Sequence, residues 1–219
     1  MAYQSRFSTC LLAASLAAGV SYLFAVQAQM TGLEITAWKG MGVGLLAIYA
    51  AQRAKGRDGW ILAGVLAFGA AGDVVLDIAF TAGAALFALG HILAIMLYRR
   101  HVRLNLSDTD RMIGALLIGV PVGMAWALTQ KAEVALYTLL LGSMASAAWV
   151  SRFPTNLTAL GAFLFVISDL LIFARMGPLS GSLIASLLVW TLYFGGQFLI
   201  VLGGTRYLAQ QKGLSVSGG

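Results

Sequence analysis

The chain has 219 residues, of which 60% are hydrophobic and 10% charged, and its formal net charge is +6. This composition excludes a soluble globular domain, because apolar runs of about 20 residues, the length of a transmembrane helix, recur from end to end. No polar block is long enough for a second domain, so we predict one all-α, polytopic membrane domain over residues 1–207 and a disordered tail over 208–219.

Eight transmembrane helices are predicted where apolar runs are separated by polar or glycine-containing segments. They cover Ser8–Ala28, Glu34–Gln52, Gly59–Phe80, Ala82–Tyr98, Met112–Leu128, Glu133–Val150, Asn156–Ala174 and Ser182–Gly203. Only Thr81 separates the third helix from the fourth, but the stretch from Asp73 to Tyr98 is too long for one crossing at about 1.5 Å per residue. The first apolar run exceeds the roughly 7–15 residues of a signal-peptide core, so we expect it to remain as an uncleaved helix.

Lys and Arg concentrate in the predicted loops on one side of the bundle, the side that also holds both termini. The exceptions are Lys131 and Arg175, which fall on the other side, and Lys39, which falls inside a span. This asymmetry predicts that both termini are cytoplasmic, and we expect the bacterial inner membrane as the location. The basic charge is thereby explained by topology, and no nucleic-acid partner is predicted.

A small set of polar residues falls at membrane depth in the predicted helices. It comprises Lys39, Asp73, Asp77, His91, Asp169, Tyr193 and Gln197. A charged Asp or Lys near the membrane centre costs roughly 2.5–3.5 kcal/mol, so these side chains are expected to face one another or a wet cavity. The predicted topology places all of them in one band between the midplane and the outer face, which permits a single shared site.

The two aspartates in the longest apolar surroundings, Asp73 and Asp169, are the hardest to explain structurally, and we predict that they are functional. A metal site is not expected, because the only histidines are His91 and His101, and the latter lies in a basic loop. A three-histidine zinc site cannot be built from two. With the single cysteine Cys10, cysteine ligation is excluded as well, and no cofactor is predicted.

The remaining polar residues are each open to a structural role as well as a functional one. Lys39 is either a counter-ion to an aspartate or a side chain that reaches the interface, and Asp77 lies close enough to the interface to end a helix. His91, Tyr193 and Gln197 are able to join helices by hydrogen bonds without touching a substrate.

A parallel duplication of four helices is suggested by the spacing of the polar residues. The two aspartate helices are four apart, and each is followed by a helix with an aromatic residue four positions before a polar one, Phe87 to His91 and Tyr193 to Gln197. A site at the interface of two such repeats would be typical of a transporter.

Order and spacing of these residues together make the chain similar to a known family. The residues concerned are Lys39; Gly72, Asp73 and Leu76; Phe87, Gly90, His91 and Tyr98; Tyr137, Met144 and Ala148; and Phe165, Ser168, Asp169, Tyr193 and Gln197. They resemble the YhhN family, the lysoplasmalogenase family of eight-helix membrane proteins, over most of the chain. One departure is Gly40, where the family often has proline.

The resemblance implies hydrolysis of the vinyl ether bond of a lysoplasmalogen, a lysophospholipid, to a fatty aldehyde and a glycerophospho-base. On this hypothesis Asp73 and Asp169 form an acid/base pair, as two carboxylates do in glycosidases. Lys39, Asp77, His91, Tyr193 and Gln197 would position water and the head group. Which aspartate is the acid, the route of substrate entry and the oligomeric state stay open.

Two other classes compete with this hypothesis. A proton-coupled transporter or lipid-handling protein would use the two aspartates as proton sites. An intramembrane aspartyl protease also pairs two helix-borne aspartates, but here Ala70, Ala71 and Gly72 precede Asp73 where the protease motif has Gly-x-Gly, and Ser168 stands where the second motif has tyrosine.

Overall fold

The computed structural model describes residues 2–216, with side chains described for residues 6–211. Over this part of the chain it consists of eight α-helices and an isolated backbone bridge between Val102 and Ser151, which confirms the predicted all-α class. The helices are α1 (Ala2–Gln27), α2 (Leu33–Arg53), α3 (Arg57–Leu76), α4 (Phe80–Arg99), α5 (Asp108–Thr129), α6 (Ala132–Trp149), α7 (Leu160–Arg175) and α8 (Leu183–Val216).

Helix boundaries follow local chemistry that hydropathy does not register. Helix α5 begins at a capping box, in which the Ser107 side chain accepts from the Asp110 backbone N–H and the Asp110 side chain accepts from that of Ser107. Helix α3 ends earlier than predicted, with Asp77 as its C-terminal capping residue, and Ala79 is extended (φ −145°). The break between α3 and α4 therefore lies before Thr81, which belongs to α4.

The start of the seventh helix and the end of the eighth depart from the predicted bounds. A π-helical turn, Thr155–Ala159, leads into α7. Helix α8 continues to Val216, so the predicted tail at 208–219 begins inside a helix, and its residues 217–219 lie outside the described residues. The single domain over 1–207 stays a prediction.

Helix α8 is the element around which the bundle packs, because it contacts α1, α2, α3 and α7. Consecutive helices form the pairs α1–α2, α2–α3, α3–α4, α5–α6 and α7–α8, and α4 also packs against α6. The interior is filled with aliphatic and aromatic side chains, among them the fully buried Leu46, Leu66 and Val201. Close packing of this kind is what stabilises helix association where lipid offers no hydrophobic drive.

Seven of the helices are long and apolar enough to cross a membrane, which indicates a multi-pass membrane protein. Helix α2, which carries Glu34 and Lys39, is not among them. The count of eight spans and the cytoplasmic position of the termini stay predictions.

One end of the bundle is tied together by charged groups. Asp58, at the start of α3, accepts from Arg100 Nε (2.7 Å) and lies 2.8 Å from His101 Nε2. The Tyr207 hydroxyl of α8 lies 3.4 Å from the other ring nitrogen of His101. This end is opposite to the one where α3 ends at Asp77, so the charged cluster and the α3–α4 break mark the two ends of the bundle.

The two halves of the chain do not pack alike. In the first half, α2 lies along α3. In the second half, α6 occupies the place in the chain that corresponds to α2 but makes only a small contact with α7, and α5 contacts α7 instead. This difference argues against the predicted four-helix duplication.

The crossing of α7 and α8 requires two glycines. A methyl group on Gly196 would lie 2.6 Å from the carbonyl oxygen of Gly161, and one on Gly161 would lie equally close to the Gly196 carbonyl. Backbone obstructs both positions, so no side-chain rotation relieves the clash. The neighbouring Gly195 has no atom within 4 Å of such a methyl group.

We expect Gly196→Ala to lower the free energy of unfolding by about 1–3 kcal/mol, the usual cost of overpacking a close contact. Gly195→Ala is the matched control and is expected to be neutral or slightly stabilising, because alanine favours the helix more than glycine does. Thermal unfolding midpoints of both variants in the same detergent test this, and equal midpoints would contradict the close α7–α8 crossing.

Candidate active site

A cavity of about 700 Å³ lies among α2, α3, α4, α6, α7 and α8 and contains both predicted aspartates in its lining. Asp73 on α3 is 2% exposed and Asp169 on α7 is 6% exposed. Most of the remaining wall is apolar or aromatic, and such a cavity with a few convergent polar groups is typical of a small-molecule site. The structure thus brings the two aspartates to one space.

Asp73 is bound by a tyrosine from the central helix. The Tyr193 hydroxyl donates to Asp73 Oδ2 at 2.8 Å, across the contact between α8 and α3. Both side chains are buried. A carboxylate removed from water needs such a donor, because an unpaired buried charge is very costly, so this bond connects the site to the packing of α8.

Asp169 is bound by a different tyrosine, which is bound in turn by a histidine. The Tyr137 hydroxyl of α6 donates to Asp169 Oδ2 at 2.8 Å, and His91 Nε2 of α4 lies 3.2 Å from the same hydroxyl. Because the hydroxyl proton is used toward Asp169, the matching histidine tautomer carries its proton on Nε2 and donates it. A chain of two hydrogen bonds therefore runs from α4 through α6 to α7.

Lys39 forms an ion pair with Asp77 and not with Asp73 or Asp169. Its Nζ lies 2.7 Å from Asp77 Oδ1, and the Thr36 hydroxyl donates to Asp77 Oδ2 at 3.2 Å. Asp77 both ends α3 and neutralises a lysine that lines the cavity. This ion pair agrees with the structural interpretation of Lys39 as a counter-ion, with Asp77 as its partner, and Lys39 also forms part of the cavity wall.

Gln197 is buried behind Tyr193 and does not line the cavity. Its amide nitrogen and the Tyr193 hydroxyl both lie over Gly69 of α3; a methyl group there would be 2.9 Å from the Gln197 Nε2. The glycine makes room for this polar pair, so Gln197 supports the tyrosine that binds Asp73.

An aromatic cluster separates and holds the two tyrosine–aspartate pairs. Phe165, one turn before Asp169 on α7, contacts Tyr193 with ring centroids 5.0 Å apart and His91 at 5.1 Å. Phe87 packs edge-on against both Phe165 and Tyr193. These rings fix the orientation of the hydroxyl and imidazole groups and keep the site apolar between them.

The predicted site residues divide into two groups in the structure. Lys39, Asp73, Asp169 and Tyr193 line the cavity. The other predicted residues lie one contact away from this lining: His91 contacts Tyr137, Gln197 lies beside Tyr193, and Asp77 pairs with Lys39.

Tyr137 belongs to the site but was not among the polar residues predicted from the sequence to form it. From the sequence it is noted only as one of the positions that resemble the family. In the structure its hydroxyl donates a hydrogen bond to Asp169. A usable signal was its depth, because Tyr137 lies five residues after the start of α6, in the same outer band as His91. Among the described residues no three His, Cys, Asp or Glu side chains converge on one point.

The Tyr193–Asp73 bond can be tested by a double-mutant cycle. We expect Tyr193→Phe alone to cost about 1–3 kcal/mol, because it leaves a buried carboxylate unpaired. In an Asp73→Leu background the same change is expected to cost little, since both polar partners are then gone. Unfolding free energies in detergent measure the difference, with exposed Asp108→Leu as the control background. Simple additivity with Asp73→Leu would contradict the hydrogen bond.

Comparison with known proteins identifies the family of this chain. Residues 34–204 match the model of the YhhN family, a stretch that holds every residue of the site described above. No curated protein and no solved structure matches the chain. Because the matched stretch is far more than half of the chain, the protein belongs to the YhhN family.

Proposed function

We propose that the protein is a lysoplasmalogenase-like ether hydrolase that cleaves the vinyl ether bond of a lysophospholipid, with Asp73 and Asp169 as its acid/base pair. The observation that carries the proposal is that both carboxyl groups line one largely apolar cavity. Membership of the YhhN family agrees with a reaction of this kind.

Formation of a hemiacetal requires two proton transfers. One carboxylic acid protonates the β-carbon of the vinyl ether, and the electrons of the C=C bond form the new C–H bond. The positive charge then rests on the α-carbon and the ether oxygen. The second carboxylate removes a proton from water as the water oxygen bonds to the α-carbon, which gives a hemiacetal.

Collapse of the hemiacetal restores both carboxyl groups. The C–O bond to glycerol breaks, and the glycerol oxygen takes the proton held by the second aspartate. The hydroxyl proton of the hemiacetal returns to the first, and the fatty aldehyde is released. Water is the only other reactant.

The hydrogen bonds from the two tyrosines to the aspartates suit this chemistry. A carboxylate has two oxygens, so a bond from Tyr193 to Asp73, or from Tyr137 to Asp169, occupies one oxygen and leaves the other for proton transfer. Aromatic walls around the carboxyl groups would exclude bulk water, which strengthens electrostatic stabilisation of the oxocarbenium ion.

We expect Asp73→Asn and Asp169→Asn each to abolish release of fatty aldehyde from an alkenyl lysophospholipid. An amide can neither hold the acidic proton nor deprotonate water, and general acid–base catalysis contributes about 10²–10⁴-fold to a rate. The assay is aldehyde production by purified protein in detergent, with the exposed Asp108→Asn as the matched control.

Near wild-type turnover in either buried variant would sink the assignment. In D₂O the aldehyde should carry one deuterium on the carbon next to its carbonyl, because that carbon receives the acid proton. Wild-type protein that releases no aldehyde but drives proton-dependent uptake into proteoliposomes would support a transporter instead.

We also propose that all eight helices span the bacterial inner membrane with both termini in the cytoplasm, which the one-sided distribution of Lys and Arg supports. In a Cys10→Ser background, a membrane-impermeant maleimide applied to intact spheroplasts should label Lys131→Cys, between α5 and α6. It should spare Lys55→Cys, between α2 and α3, until the membrane is opened. The reverse pattern would invert the topology.

A further inference from the structure

The residues that line the cavity are not equally accessible from outside the bundle. Those contributed by α2, α3, α7 and α8 are buried or half-buried. The exposed ones all belong to α4 or α6, and they are Phe80, Thr81, Ala85, Glu133, Leu136 and Leu139. The cavity therefore opens sideways between these two helices.

The two helices present matching faces to this opening. On α4 the lining positions Thr81, Ala84, Ala85 and Ala88 recur at the three- and four-residue spacing of one helix face. On α6 the positions 136, 139, 140 and 143 do the same, with leucine at the first three. Small side chains on α4 thus face larger apolar ones on α6, and we name this opening, residues 80–88 with 133–143, the α4–α6 seam.

The seam is polar at one end and mostly apolar along the rest. Thr81 and Glu133 lie at the starts of their helices, and Lys39 lines the cavity close to the end of α3, where it pairs with Asp77. Farther along, the walls are mostly alanine and leucine, with Ser143 as a polar exception. At the polar end the cation Lys39 and the carboxylate of Glu133 line the cavity, with Asp77 behind Lys39, and these opposite charges at the end of an apolar slot complement a zwitterionic head group on a hydrocarbon chain.

We propose that the α4–α6 seam binds the single hydrocarbon chain of the substrate, which enters sideways from the membrane, while the head group stays at the Lys39 end. The identity of the occupant as a lysophospholipid rests on the proposed function. The geometry agrees with the reaction, because Asp77 lies one helical turn beyond Asp73, so a head group at Lys39 would leave the adjoining ether bond beside the aspartates.

Photo-cross-linking locates the chain without any need for turnover. The probe is an ester lysophosphatidylcholine with a diazirine in the middle of its acyl chain, which has no vinyl ether to cleave. After irradiation of the wild-type protein in detergent, peptide mass spectrometry should place the label on residues 80–88 and 133–143.

Filling the seam should displace the probe. We expect Ala84→Trp or Ala88→Trp to reduce labelling at least about tenfold, equivalent to roughly 1.4 kcal/mol of binding free energy. Leu89→Trp is the matched control, because Leu89 lies on the same helix, is 46% exposed and does not line the cavity. Its labelling should equal that of the wild type.

Two results would overturn the proposal. One is label concentrated elsewhere, for example in the second, apolar groove of about 530 Å³ between α5 and α7, whose lining includes neither aspartate. The other is undiminished labelling in tryptophan variants that unfold at the wild-type temperature.

Failure here and failure of the proposed function are distinguishable. Labelling of the seam without aldehyde release from an alkenyl lysophospholipid would keep the binding site and reject the hydrolase. Aldehyde release with label outside the seam would keep the hydrolase and reject this site.

Discussion

The cost of holding carboxyl groups in an apolar bundle shapes the interior of this protein. Each of the two buried aspartates accepts a hydrogen bond from a tyrosine on another helix, Tyr193 for Asp73 and Tyr137 for Asp169. Since an unpaired buried carboxylate would cost more than most single packing contacts stabilise, these bonds fix α3 to α8 and α7 to α6. His91 extends the second connection to α4. The cavity is what remains between helices joined in this way.

The two pairs differ in their surroundings. The wall near Asp73 includes Lys39, a cation that Asp77 holds in place. Asp169 instead contacts a tyrosine that contacts a histidine, so its support is a chain of hydrogen bonds. Two carboxyl groups in unlike environments are what acid/base catalysis at one pH requires, because they must hold different protonation states at the same moment. The departure from the predicted duplication therefore suits the proposed acid/base reaction better than two equivalent halves would.

The sequence predicts those site residues whose side chains are costly to bury in a membrane whatever their neighbours are. Asp73 and Asp169 stand out in an apolar run because ionised side chains are rare there, and the structure brings them to one cavity as expected. Tyr137 did not stand out, since tyrosine is common near membrane interfaces and costs little. Its importance arises only from the partner that α6 meets in three dimensions. The C-terminal end of α3 and the start of α5 were misplaced for a similar reason. Caps depend on local hydrogen bonds to the backbone, and a hydropathy average does not detect them.

Helices α4 and α6 contribute both to the buried core and to the wall of the cavity. Toward the charged end, Leu97 on α4 and Leu141, Met144 and Ala148 on α6 belong to the same buried core; toward the α3–α4 break, the cavity lies between them. Transfer of a hydrocarbon chain from lipid into an apolar slot changes its surroundings little, because lipid is as apolar as leucine. Such a slot supplies little selectivity of its own. On the proposed function, discrimination among lipids comes from the polar end of the site, where a head group would compete with Asp77 for Lys39.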